Sequence, residues 1–277
     1  MRPTPLITIT ITTLAALLAA PSVFAQAKTD AKTEIQWLGQ AATRITTPGG
    51  KVIVIDPWIT SNPKTPEQYK TLESLGKVDL ILVTHGHFDH FADAPALSRL
   101  TRAPVYGPAG LMQSVSALGI LPAESVVRFG KGGMVTPLGA DIRITQVRAE
   151  HSSELAHKNA AGKDEMHVGG EPAGFIIELE NGFKIYHMGD TGLFGDMTMI
   201  GSYYKPDLVL IPIGGHFVMS PRDAAYATRE MIKPRFAIPI HYGTTPQLKG
   251  TTAEYISALG DGSAKVFPIN PGDKLEF

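Results

Sequence analysis

The sequence of 277 residues contains no cysteine. Disulfide bonds, thiolate nucleophiles and cysteine-ligated zinc are therefore excluded, and any metal ion must be held by histidine and carboxylate side chains. Blocks of like charge are absent as well, because 25 lysines and arginines are balanced by 26 aspartates and glutamates spread along the chain. Proteins that bind nucleic acids usually carry a basic stripe. The composition therefore argues against nucleic-acid and anionic-membrane partners.

The N-terminus has the features of an export signal. A single positive charge precedes an apolar stretch over residues 6–20, and Val23 and Ala25 are small residues at the positions that precede a cleavage site. A stretch of about 20 residues could also span a bilayer as an uncleaved anchor, but the cleavage pattern and the threonines favour removal. We predict a signal peptide over residues 1–25, a flexible lead-in over 26–33, and an exported, periplasmic protein without stable membrane insertion after cleavage.

The remainder of the chain, residues 34–277, alternates apolar β-rich runs with turns and helical patterns, and no linker divides it. The run over residues 79–84 is almost continuously apolar, which is typical of a strand buried on both faces. Further strands are predicted at 34–38, 42–46, 51–56, 141–148, 174–180, 183–187, 207–213 and 235–240. Helices are predicted at about 89–100, 109–119, 221–232 and 252–259, and a polar loop at 152–170. These elements indicate one mixed α/β domain.

The densest chemical motif directly follows the predicted strand at 79–84 and reads His85-Gly86-His87-Phe88-Asp89-His90. Residues two apart on an extended segment point to the same side, so His85 and His87 can bind one ion together. Asp89 and His90 come where the chain turns into a helix and can face a second ion. Neutral imidazole and carboxylate groups suit zinc, manganese or iron. The alternative, a loop that is rich in histidine by chance, accounts poorly for four such side chains in six positions.

Three further candidate ligands, His151, Asp190 and His241, follow other predicted strands. Folds of the α/β class place their sites where strands leave the sheet, so we expect these side chains to join the motif. The expected ligand sets are His85, His87 and His151 for one ion, and Asp89, His90 and His241 for the other, with Asp190 bridging the two.

The run Val83–Ala94 resembles the H-x-H-x-D-H motif of the metallo-β-lactamase superfamily, and the later candidate ligands appear in that family's order. The resemblance points to one branch, the uncharacterised metal-dependent hydrolases related to ascorbate-phosphate lactonase. The stretches that carry it are Trp37–Gln40, Ile55–Pro63, Gly169–Gly174, His187–Asp196 and Pro212–Phe217. It spans nearly all of residues 34–277 and implies a four-layer αββα sandwich with the metal ions at one edge.

The predicted chemistry is hydrolysis of a small-molecule substrate. Two metal ions about 3.5–4 Å apart can lower the pKa of a bridging water from about 16 toward roughly 7, which supplies hydroxide at neutral pH. We expect zinc, with manganese or iron as alternatives, and we expect Asp89 to orient the hydroxide as well as bind metal. His216 is a candidate proton donor to the leaving group, or else a histidine satisfied by the backbone. Asp56 is predicted to orient a metal-binding histidine.

A lactone or similar ester is the favoured substrate, because the characterised relative in the branch is a lactonase and no arginine-rich cluster lies near the motifs. The alternatives are a phosphodiester, since a two-metal site also stabilises in-line displacement at phosphorus, and then a β-lactam. A different class is a non-catalytic periplasmic metal-binding protein, which would take up metal and hydrolyse nothing. A diiron redox protein is disfavoured, because such members generally carry Glu at the position of His87. The stretch 152–170 could fold over the site as a lid.

Overall fold

The computed structural model describes Met1 and residues 31–159 and 161–277, so the predicted signal peptide, apart from Met1, lies outside the described residues. The strands are β1 (Glu34–Gly39), β2 (Ala42–Thr46), β3 (Val52–Ile55), β4 (Leu80–Leu82), β5 (Val105–Pro108), β6 (Val126–Phe129), β7 (Met134–Val135), β8 (Arg143–Arg148), β9 (Glu154–Lys158), β10 (Asp164–Val168), β11 (Ala173–Glu178), β12 (Lys184–His187), β13 (Leu208–Pro212), β14 (Phe236–Ile240), β15 (Lys265–Val266) and β16 (Lys274–Glu276). The α-helices are α1 (Phe88–Phe91), α2 (Ala94–Thr101), α3 (Ala109–Ala117), α4 (Met197–Tyr204), α5 (Pro221–Tyr226), which continues as a π-helical segment (Ala227–Ile232), and α6 (Thr252–Leu259). Short 3₁₀ turns occur at Glu67–Tyr69, Leu72–Leu75 and Ala123–Ser125. Within these ranges, no helix combines the length and the apolar character needed to cross a membrane.

Most of the strands form two mixed sheets of seven. The first sheet has the order β16-β1-β2-β3-β4-β5-β6, and the second has the order β15-β14-β13-β12-β11-β8-β7. Strands β3 to β6 are parallel in the first sheet, and β12 to β15 are parallel in the second. Because parallel strands end at the same edge, each sheet gathers the residues that follow these strands in one place.

The alternation of side chains along the strands divides the core into three apolar layers. On β3, Ile53 and Ile55 face the space between the sheets, whereas Val52 and Val54 face α1 to α3. The inner layer is completed by residues of the second sheet such as Phe175, and α4 to α6 cover the outer face of that sheet. The predicted single-domain, four-layer αββα sandwich is therefore confirmed.

The polar stretch 152–170 was predicted to be a loop, and that prediction is wrong. It contains β9 and β10, which pair as an antiparallel hairpin with Glu165 opposite His157. Charged residues on the solvent side obscure the period-two pattern that marks a strand. Leu155 is the buried side chain that anchors the hairpin in the core.

The helical pattern predicted at about 89–100 is present, but it is divided into two helices, because the chain breaks between α1 and α2. At the break lies Asp93, whose carboxylate accepts hydrogen bonds from the backbone N–H groups of Ile59 and Thr60. A contact with a segment more than 30 residues away cannot be inferred from helical periodicity. This contact of Asp93 connects the motif to the loop that follows β3.

Candidate metal centre

The motif that follows β4 leaves the sheet at the edge where the parallel strands end. His85 is completely buried and places Nε2 3.0 Å from Nδ1 of His87. The same Nδ1 lies 3.3 Å from Nε2 of His151, which follows β8. These three residues are termed the histidine cluster. They include no carboxylate.

A second group, termed the carboxylate cluster, comprises Asp89, His90, Asp190 and His241. Asp190 Oδ1 lies 3.2 Å from His90 Nε2, and Asp190 Oδ2 lies 3.0 Å from His241 Nε2. Asp89 Oδ2 lies 3.3 Å from the same nitrogen of His241. Asp190 also approaches the histidine cluster, with Oδ2 3.6 Å from His151 Nε2. The structure thus brings together all seven predicted ligand residues, with Asp190 between the two groups.

Both clusters are suited to a divalent cation. Within each cluster, one potential ligand atom per residue lies within 4.8 Å of the others. His90 Nε2 and Asp190 Oδ1 are buried and make no hydrogen bond, although they lie only 3.2 Å apart. Buried polar atoms nearly always have a partner, so two that converge without bonding each other fit a shared cation. Imidazole and carboxylate donors without thiolate match zinc, manganese or iron.

Burial sets the charge of the histidine cluster. It lowers the pKa of His85 well below the ordinary value, and the neighbouring His90 lowers it further. Burial also lowers the pKa of His151, despite the opposing effect of Asp190. Both imidazoles are neutral at pH 7, which is the form that binds metal.

In the carboxylate cluster, the neighbouring charges outweigh the effect of burial on the pKa values. Burial would raise the pKa of Asp89 and Asp190, but His90 and His241 outweigh it and hold both values below the ordinary range. Burial would likewise lower the pKa of His241, but Asp190 and Asp89 raise it to about 9. The two ionised carboxylates therefore attract positive charge to this point, and either imidazole protons or a bound cation can supply it.

Two buried polar side chains, Asp56 and Thr84, contact the Nδ1 atoms of motif histidines. Asp56, directly after β3, places Oδ2 2.8 Å from His90 Nδ1 and accepts hydrogen bonds from the backbone N–H and hydroxyl of Thr84. The Thr84 hydroxyl also lies 3.1 Å from Nδ1 of His85. Because Nδ1 of both histidines is engaged on this side, their Nε2 atoms face the clusters. The predicted contact of Asp56 with a motif histidine is confirmed.

Two residues outside the sequence predictions contact the proposed ligands. Glu154, the first residue of β9, places Oε2 2.8 Å from His87 Nε2. Gln40 Nε2 lies 2.7 Å from both Asp89 Oδ2 and His241 Nε2. No sequence pattern marks Glu154, because its place depends on the hairpin. Gln40 belongs to one of the stretches that carried the family resemblance, and that signal could have identified it.

Strained backbone is concentrated at this edge of the molecule. Seven non-glycine residues in the described part of the chain have a positive φ: Gln40, Asp56, Arg102, Lys205, His216, Lys233 and His241. Three of these end helical segments, where the left-handed conformation is common. The other four lie in or next to the site. Each such conformation costs about 1–3 kcal/mol and persists where the surrounding structure enforces it, as at functional sites.

A cleft of about 440 Å³ opens over both clusters. Its lining includes the cluster residues His87, Asp89, His151, Asp190 and His241, together with Phe88, Phe217, Thr245, Gln247 and Leu248. Phe217 is one of the described residues that line the cleft, whereas His216 is not one of them. His216 is exposed on the turn beside Phe217. The structure does not bring it to either cluster, and its role as a proton donor stays a prediction.

The family model described as a beta-lactamase superfamily domain matches residues 51–242, which include all seven residues of the two clusters. The chain belongs to this superfamily. A UPF0173 metal-dependent hydrolase of Cupriavidus necator is 62% identical to it over 279 residues, covering 97% of this chain and 96% of that protein. The prediction of a metal-dependent hydrolase of this superfamily is confirmed.

Solved structures agree with this assignment. Igni18, a metallo hydrolase of the archaeon Ignicoccus hospitalis, is 31% identical with a TM-score of 0.75, and the match covers 89% of this chain and 98% of that one. The metallo-beta-lactamase fold protein YhfI of Bacillus subtilis is 12% identical with a TM-score of 0.61, covering 89% of this chain and 100% of that one. At that identity the similarity shows the fold alone.

Proposed function

We propose that the protein uses two divalent ions, zinc by preference, to hydrolyse a small ester-like substrate, with a lactone favoured. The observation that carries this proposal is the pair of adjacent clusters at the floor of one cleft, with the Asp190 carboxylate approaching both. We assign one ion to the histidine cluster and the other to the carboxylate cluster. Two ions held this way would supply Lewis acidity and hydroxide at neutral pH.

Asp89 is the residue to which we assign the orientation of the attacking water. Its carboxylate is ionised, lines the cleft and accepts a hydrogen bond from the Gln40 amide. An ionised carboxylate in this place can accept a hydrogen bond from water and direct its lone pair toward the substrate carbonyl. The Gln40 contact keeps the carboxylate from rotating.

His216 is retained in this proposal as the donor of a proton to the leaving oxygen. Its imidazole is exposed, and its neighbour Phe217 lines the cleft. A general acid matters most when the leaving group is a poor one. The variant His216→Ala should therefore lose more rate on alkyl esters than on aryl esters, and equal losses on both would remove His216 from the mechanism.

The cleft favours a carboxylic ester over a phosphodiester. Among the described residues that line it there is no lysine or arginine. Sites that recognise phosphate normally supply such a group, often as a bidentate arginine. Phosphodiesters and β-lactams are therefore the second and third substrates to test.

Elemental analysis of the purified protein, followed by kinetics on lactones, phosphodiesters and β-lactams, tests the proposal. We expect two metal equivalents per chain and the highest kcat/KM on lactones. Asp89→Ala should keep the circular dichroism spectrum of the wild type and lose turnover. Metal uptake without hydrolysis of any of the three classes would instead support a metal-binding protein, and wild-type turnover in Asp89→Ala would exclude the assigned role of that residue.

We also propose that the protein is exported to the periplasm after removal of residues 1–25. The support is the small-residue pattern at Val23 and Ala25 behind an apolar stretch. N-terminal sequencing of protein recovered from a periplasmic fraction should begin at Gln26. An intact N-terminus in the membrane fraction would show that the segment is an anchor.

A further inference from the structure

The cleft over the two clusters has large apolar side chains in its lining. Phe88 and Phe217 leave 62% and 53% of their surfaces exposed, although both are large aromatic residues. Leu248 is buried and also lines the cleft. Exposed apolar side chains that line a concave site are typical of ligand binding.

Phe88 is held in place by its neighbours in the chain and by packing. It stands between the proposed ligands His87 and Asp89, at the start of α1. Its ring packs edge-on against Trp58, with 5.4 Å between the centroids. The contact with Trp58 supports Phe88 at its place in the lining of the cleft, although more than half of its surface is open to solvent.

Phe217 is presented by a tight turn. Its backbone N–H donates to Gly215 O at 2.7 Å, and Gly215 N–H donates to Met219 O at 3.0 Å. Gly215 and His216 both have a positive φ, which gives the turn its shape. The turn holds the aromatic side chain at the mouth of the cleft.

Apart from the histidines, the charged side chains around the cleft are acidic among the described residues. Asp89 and Asp190 line it, and Glu154 contacts two lining residues, His87 and Ser152. Among the described lining residues there is no lysine or arginine to pair with a negative group on the substrate. At the phenylalanine side chains, an anionic arm would lose its hydration and gain no ion pair with a lysine or arginine.

We infer that the substrate is uncharged and carries an apolar arm that lies against Phe88 and Phe217. The inference deepens the proposed function and rests on it, since the hydrolysed bond is taken to lie over the two clusters. The aromatic pair acts on affinity for the arm, while the clusters act on the bond that is cleaved. Selectivity should therefore follow the length and the charge of the arm.

Hydrolysis of γ-butyrolactones that carry an unbranched alkyl arm of increasing length on the carbon next to the carbonyl tests this inference. We expect kcat/KM to rise by about two- to fourfold for each added methylene until the cleft is filled, mainly through KM. A lactone with the same long arm ending in a carboxylate should lose that gain. A flat dependence on length, or a preference for the carboxylate, would overturn the inference.

The variants Phe88→Ala and Phe217→Ala should each reduce the ratio of kcat/KM between the longest and the shortest lactone, and Phe88→Leu should restore part of it. Tyr203→Ala on α4 is the matched control, because it removes another exposed aromatic ring, one that does not line the cleft. We expect the wild-type ratio in Tyr203→Ala. An unchanged ratio in both phenylalanine variants would contradict the assignment.

Calorimetric binding of 2-alkylcyclopentanones separates this inference from the proposed function. In these ketones a methylene replaces the ring oxygen, so there is no ester bond to cleave. Tighter binding with a longer arm, in a protein that hydrolyses none of the lactones, would support the apolar arm and refute lactone hydrolysis. Hydrolysis of short and long lactones at equal kcat/KM would support the hydrolase and refute the apolar arm.

Discussion

Two motif histidines are each held by a carboxylate at the same distance but in different surroundings. His90 Nδ1 lies 2.8 Å from Asp56 Oδ2, and both side chains are fully buried. His87 Nε2 also lies 2.8 Å from Glu154 Oε2, but the two side chains are 25% and 50% exposed. Water screens the second pair and not the first. The two contacts have the same length, but we therefore expect the loss of Asp56 to affect the site more than the loss of Glu154.

The same contrast holds for the two clusters as wholes. The carboxylate cluster contains two ionised carboxylates and is almost entirely buried, whereas the histidine cluster contains the neutral imidazoles of His85 and His151 and opens to the cleft through His87. Negative charge in a buried site attracts a cation more strongly than neutral ligands do. Under the proposed function, the carboxylate cluster should bind its ion first and release it last.

The largest effect is expected at Asp190, because it approaches both clusters. Asp190→Asn removes the charge from the carboxylate next to His90, His241 and His151. We expect turnover to fall by more than about 1,000-fold, equivalent to about 4 kcal/mol of lost transition-state stabilisation, together with reduced metal content. Lactone kinetics and elemental analysis on the same sample measure both quantities. Wild-type turnover would show that the two clusters do not work as one site.

An intermediate effect is expected at the buried carboxylate that orients His90. Asp56→Asn keeps the shape of the side chain but replaces one acceptor next to Thr84 and His90 with a donor. Loss of such a partner typically reduces metal affinity or activity by about 10–100-fold. Competition with a coloured chelator measures the affinity. Asp79→Asn is the control, because that carboxylate caps Val52 N–H away from both clusters and should leave the affinity unchanged.

The smallest effect is expected at the exposed partner of His87. Glu154→Gln retains a hydrogen-bond acceptor and loses only a screened charge, so we expect a decrease in metal affinity of less than about tenfold. Glu165→Gln, in the same hairpin but directed toward Asn159, should have no effect. A loss at Glu154 as large as that at Asp56 would show that solvent exposure does not govern the strength of these contacts.

Much of the site could be predicted from the sequence, because its residues follow strongly apolar strands. β4, β12 and β14 are short buried runs, and the candidate ligands His85, Asp190 and His241 come after them. Strand ends of this kind converge whatever the lengths of the connections. The motif and the strand ends together were enough to identify the two clusters.

The remaining parts depend on contacts between distant segments. β5 and β6 were not predicted, since glycine and proline in one and a charged residue in the other resemble turn sequences. The hairpin of β9 and β10 was not predicted because its strands are polar, and the contact of Glu154 with His87 was therefore not predicted either. Phe217 has no local signal either, because its exposure at the cleft is set by the turn after β13. Local patterns report periodicity, whereas these positions are decided by tertiary packing.

Zinc titration of chelator-treated protein, followed by calorimetry and lactone hydrolysis on the same samples, tests the account most directly. We predict two binding steps, the tighter one lost in Asp190→Asn, with hydrolysis appearing only as the second equivalent binds. A single step that saturates at one equivalent with full activity, or lactone hydrolysis by the metal-free protein, would contradict it.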